Sequence, residues 1–83
     1  MKVKSLSESA DRYVKGCIRA YLEGSKDFRW VTSIIGRSHS GICAAELGLA
    51  RLGAYGDTLR RAVLVSYIAQ CRHELLAEER PNI

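Results

Sequence analysis

The feature that most limits what this chain can fold into is the run Ile34-Ile35-Gly36-Arg37-Ser38-His39-Ser40-Gly41-Ile42. Before it, Phe28, Val31, Ile34 and Ile35 recur at helical spacing, and Asp27 stands where an N-cap is needed. Gly36 then supplies a backbone able to leave the helix, and Ser38 or Ser40 can cap the next one. The pattern predicts two short helices, over about 28–35 and 39–53, joined by a tight polar turn. Ile42, Ala45, Leu49 and Leu52 are the inward residues of the second, and Gly53 ends it. Gly41 and Gly48 lie inside that helix, where each costs about 1 kcal/mol relative to Ala. They either admit another helix or a phosphate closely, or leave the helix weak.

Two longer helices flank this pair. Ser5 and Glu8 have the spacing of a capping box. Behind them Leu6, Ala10, Val14, Cys17, Ile18, Tyr21 and Leu22 form one apolar stripe on a helix over about 6–23, ended by Gly24. Asp57 caps a fourth helix over about 58–79, which stops before Pro81. Within it, Ala62-Val63-Leu64-Val65-Ser66-Tyr67-Ile68-Ala69 is apolar nearly all round, the pattern of a helix buried on more than one side. Three other helices can hardly surround it in 83 residues, so a homodimer is expected, with Leu64, Ile68, Cys71 and Leu75 facing the symmetry mate. The alternative is a central core helix in a monomer. The fold class is all-α: one four-helix domain spanning 1–83.

Composition excludes several function classes. No run of eighteen apolar residues exists to span a membrane. Met1-Lys2-Val3-Lys4-Ser5-Leu6 has charge but no apolar stretch after it, so no signal peptide is read and a cytoplasmic protein is expected. Cys17, Cys43 and Cys71 are odd in number and far apart, each at an apolar helical position, which argues against a disulfide framework. His39 and Cys43 have a spacing that could bind metal, but no third and fourth ligands accompany them. No carboxylate pair, nucleophile–base cluster or phosphate-cradling loop stands out, so neither catalysis nor a cofactor is expected. The net charge of +4 is uneven: residues 1–61 carry eleven Lys/Arg against six Asp/Glu, residues 62–83 two against three. A basic first part suits a phosphate backbone, and a near-neutral end suits a protein contact.

Over about residues 12–46 the chain resembles the helix-turn-helix of insertion-sequence transposases and resolvase-like small regulators. The similarity rests on Ile18-Arg19-Ala20-Tyr21-Leu22-Glu23-Gly24 and on Val31 through Ala45, whose core reads Ile35-Gly36-Arg37-Ser38-His39-Ser40-Gly41-Ile42. The resemblance implies duplex DNA as partner, with the second helix of the motif entering the major groove. Two departures from the family pattern stand out, one at a crowded helix crossing and one in the reading of bases. Thr32 stands where the family has Ala. Cys43-Ala44-Ala45 replaces Ser-Arg-Glu, which removes the long side chain best placed to read guanine.

The candidate DNA-binding residues are accordingly Arg37, Ser38, His39 and Ser40 around the turn, with Arg12, Lys15, Arg19, Arg29 and Arg51 as phosphate contacts. The expected function is a small dimeric transcriptional regulator of a phage, plasmid or bacterial chromosome. The rival expectation is a helical module, such as a mobile-element inhibitor or adaptor, that binds a host protein. Its support is the over-apolar fourth helix together with Trp30, Tyr13, Tyr55 and Tyr67, residue types enriched at binding faces.

Overall fold

The computed structural model describes the backbone of residues 4–79 and the side chains of residues 9–78. Leu6, the Ser5–Glu8 box and Pro81 therefore lie outside the described side chains. The described residues form four helices and no strand: α1 (Lys4–Leu22), α2 (Phe28–Ile35), α3 (His39–Leu52) and α4 (Thr58–Glu79). The body is a slab with extents of 45 × 39 × 20 Å.

Local chemistry at each helix end explains the boundaries. Gly24, at φ 90°, closes α1: its N–H reaches the Tyr21 carbonyl, and the Ser25 N–H reaches that of Ala20, at 3.0 Å each. That is the paired bonding by which a left-handed residue satisfies the last carbonyls of a helix. Asp27 Oδ1 accepts from the Trp30 N–H at 2.9 Å and starts α2. Asp57 Oδ1 accepts from the Arg60 N–H at 2.9 Å and starts α4.

α1 is the helix on which the others pack. Its buried residues Val14, Cys17, Ile18, Tyr21 and Leu22 meet Val31 and Ile35 from α2 and Ile42, Ala45 and Leu49 from α3. Of the described residues in the stripe expected of α1, Ala10 is exposed and Val14 onward is buried. Phe28, expected to face inward, instead lies at the margin, its ring between those of Tyr21 (6.1 Å) and Tyr67 (5.7 Å). Ile34 and Leu52 are only half-buried, whereas Ala44 and Gly48 join the core. At Gly48 the backbone of α1 comes so near that an added Cβ would lie 3.2 Å from Lys15 Cα. The glycine therefore marks a close helix crossing, not a weak point.

α4 corrects one expectation outright. Leu64, Ile68 and Cys71 are buried inside this chain's own core, and Leu75 is partly buried against it. Leu64, Ile68 and Cys71 therefore face α1–α3 within the chain, with Leu75 at the edge of that contact. Residues 62–69 are apolar nearly all round, so their sequence alone does not distinguish the inner line from the outer one. Two arginines fix the choice. Arg60 Nη1 donates to the Tyr21 and Lys26 carbonyls at 2.9 and 3.0 Å, and its guanidinium lies 4.9 Å from the Tyr21 ring centroid. Arg61 donates to the Gly53 and Leu49 carbonyls at the end of α3. Cations placed on helix C-termini satisfy carbonyls that lack partners and complement the helix dipole.

Candidate nucleic-acid interface

The connection between α2 and α3 is Gly36-Arg37-Ser38, the length of a helix-turn-helix turn. Gly36 adopts φ 69° and ψ −169°, and its N–H still bonds to the Thr32 carbonyl. Ser38 turns the chain into α3, its Oγ accepting from the Gly41 N–H at 3.1 Å. Gly41 is then required sterically: a Cβ there would collide with the Ile35 carbonyl oxygen at the end of α2. The two helices are thus held in one mutual orientation by backbone against backbone.

α3 buries Ile42, Ala44, Ala45, Gly48 and Leu49. His39, Ser40, Cys43, Leu47, Ala50 and Arg51 are left exposed on its other side. Ser40, Leu47 and Arg51, seven and four residues apart, share the edge of that strip. At Arg51 this edge meets α1: Asp11, Arg12, Lys15 and Arg51 line a hollow of about 320 Å³. Three cations against one carboxylate make this hollow an anion-attracting feature of the surface. Leu47 is not among the residues expected from sequence, although its position seven after Ser40 on the same helix was a usable signal.

The other expected contacts are placed differently. Arg37 reaches across to α4, with Nη2 2.8 Å from Glu74 Oε1 and 3.5 Å from Glu78 Oε2. Its guanidinium therefore docks α4 beside the turn, a use that no residue near Arg37 in the chain predicts. Glu74 is held below the ordinary carboxylate pKa, first by the hydrogen bond from Gln70 (2.9 Å) and then by Arg37. Arg19 pairs with Glu23 at 3.2 Å and sits 5.4 Å from the Tyr55 ring centroid, while the Tyr55 hydroxyl donates to the same Glu23. Glu23 is accordingly held low, chiefly by that hydroxyl and then by Arg19. Arg29 is exposed on α2. Ser38, His39 and Ser40 are exposed, but the Ser38 hydroxyl is engaged as the cap.

α4 borders the strip on its other side. Arg72 makes a two-pronged pair with Glu46 at 2.7 and 2.6 Å and lies 3.5 Å from Cys43 Sγ. Its guanidinium is held more firmly protonated by that carboxylate. The only carboxylate on the outward side of α3 is thereby neutralised. Among the described residues no group of three or more His, Cys, Asp or Glu could hold a metal ion. No described helix is long and apolar enough to cross a membrane. Trp30 is half-buried against the core beneath the Lys26 ammonium, 5.2 Å from its ring centroid, so it is no exposed anchor for a partner. Comparison with family models, with characterised proteins and with solved structures gives no match.

Proposed function

We propose that this chain is a small helix-turn-helix DNA-binding regulator that grips the phosphate backbone more strongly than it reads bases. The observation that carries the reading is the α2–α3 unit itself: a three-residue turn locked by Gly36, Ser38 and Gly41, with both helices seated on α1. In such a unit the start of the second helix, here Ser38 to Ser40, enters the major groove, and the positive end of the helix dipole favours a phosphate there. Arg12, Lys15 and Arg51 flank the other end of the strip, about 20 Å further along α3. That is a span of several base pairs, so both ends can touch one duplex.

The side chains between them argue for weak base discrimination. Cys43, Leu47 and Ala50 carry no hydrogen-bonding head that separates the four base pairs, and their best contact is a thymine methyl. Arg37 adds little in this account, because Glu74 and Glu78 hold it. An exposed pair of this kind is screened by solvent and holds weakly, so it does not forbid a phosphate contact. The proposal assigns no catalytic step, and it places the protein in the cytoplasm with the DNA.

Fluorescence anisotropy with a random duplex over a salt series tests the reading. Each neutralised phosphate contributes about −0.9 to the slope of log K against log salt. The triple variant Arg12→Gln, Lys15→Gln, Arg51→Gln should therefore bind more weakly at every salt concentration, with a slope reduced by roughly 3. No binding at 50 mM salt, or a slope unchanged in the triple variant, contradicts the proposal. A protein-binding role draws its support from the exposed outer side of α4.

A further inference from the structure

Independently of what α3 touches, the outward side of α4 carries a second pattern. Leu59, Ala62, Ser66, Ala69, His73 and Leu76 follow one another at alternating spacings of three and four, and all are exposed. These are the a and d positions along which a second helix could lie, over about two and a half heptads. This seam lies opposite the Leu64–Ile68–Cys71 line that fills the core. No Lys, Arg, Asp or Glu falls on it. Its flanks, Thr58, Val63, Val65, Gln70 and Ala77, are uncharged as well, and among the described side chains the one charged flank residue, Arg72, is already paired with Glu46 in its own chain. Covering this face therefore buries no unpaired charge, which is the usual obstacle to helix association.

The order of residues along the seam says what covers it. Leucines stand at both ends (Leu59 and Leu76), the two central positions are small (Ser66 and Ala69), and between them the small Ala62 is matched by the larger His73. We propose that α4 pairs antiparallel with α4 of a second copy, about a two-fold axis at the level of Tyr67 and Ile68. Leu59 then meets the partner's Leu76, Ala62 meets the partner's His73, and Ser66 meets the partner's Ala69. Each layer couples a residue to a different one that is repeated across the axis, as a two-fold interface requires. His73 fills the space that Ala62 leaves, and the small Ser66 and Ala69 let the helices approach near the axis to about 8 Å.

The area supports a reversible dimer. The seam is about 26 Å long. With its flanks it removes on the order of 1,000 Å² from water in total, the lower limit of a specific interface. An apolar groove of about 290 Å³ between α3 and α4, lined by Leu49, Ala50, Val65 and Ala69 among others, continues the seam sideways. An interface of that size belongs to the weak, transient class.

Sedimentation equilibrium of the full chain tests this directly. The mass should rise from 9.2 kDa towards twice that value with increasing concentration. Ala69→Glu puts two carboxylates into an uncharged seam, so it should weaken association at least about tenfold while circular dichroism remains that of the wild type. Orientation is read by cross-linking in a Cys43→Ser background. A mixture of Leu59→Cys and Leu76→Cys proteins should form a mixed disulfide, and Leu59→Cys alone should not, because its two sulfurs lie about 26 Å apart along the seam. A monomer at every concentration, a dimer indifferent to Ala69→Glu, or self-cross-linking of Leu59→Cys would overturn the proposal.

Discussion

Gly41→Ala should destabilise this protein by about 3 kcal/mol, a cost at the upper end of what one added methyl group inflicts. The Cβ would run into the Ile35 carbonyl oxygen, a backbone atom at the end of α2 with no rotamer to escape into. Relief requires α3 to move away from α2, which opens the contacts of Ile42 and Ala45 with α1. In a domain of this size the total stability is on the order of 4–12 kcal/mol, so the loss is a large share of it. Gly16→Ala is the control. Gly16 lies exposed in the middle of α1 with nothing within 4 Å of its added Cβ, so the usual helical preference for Ala should stabilise by about 0.5–1 kcal/mol. Urea midpoints read both, and effects of the same sign at the two positions would contradict the geometry assigned to the turn.

The second large effect separates the two sides of α4. Leu64, in the second turn of α4, is 0% exposed, and Leu64→Ala should cost about 3 kcal/mol in transfer and cavity terms. Leu59 is 73% exposed, and Leu59→Ala should change the stability of the monomer by less than about 0.5 kcal/mol. Measured by denaturant unfolding at low protein concentration, the two variants report which line of α4 faces its own chain. A small loss at Leu64 and a large one at Leu59 would reverse the assignment.

What was legible in the sequence divides along local and distant chemistry. Helix ends were readable because Gly24, Asp27, Gly36, Ser38, Gly53 and Asp57 each act on residues a few positions away. Observed and expected boundaries accordingly agree within about two residues, the scatter normal for helix ends. The inner side of α4 was not readable, because Val63, Leu64 and Val65 are consecutive apolar residues and only the bodies of α1 and α3 select Leu64 among them. The engagement of Arg37 was hidden for a similar reason: Glu74 and Glu78 are 37 and 41 residues away and arrive only when α4 passes the turn. In the candidate site, Arg12, Lys15 and Arg51 were each named as phosphate contacts, but their meeting in one hollow depends on the α1–α3 crossing at Gly48. Gly48 carried a trace of that crossing in the sequence, without saying which helix would come near.

The most direct measurement of the DNA-binding account is a titration of the isotopically labelled protein with a random duplex, followed by amide chemical shifts. The account predicts changes concentrated at Ser38 to Gly41 and around Arg12, Lys15 and Arg51, with the core line of α4 at Leu64 and Ile68 unmoved. Shifts absent at low salt, or confined to the outer face of α4, would contradict it.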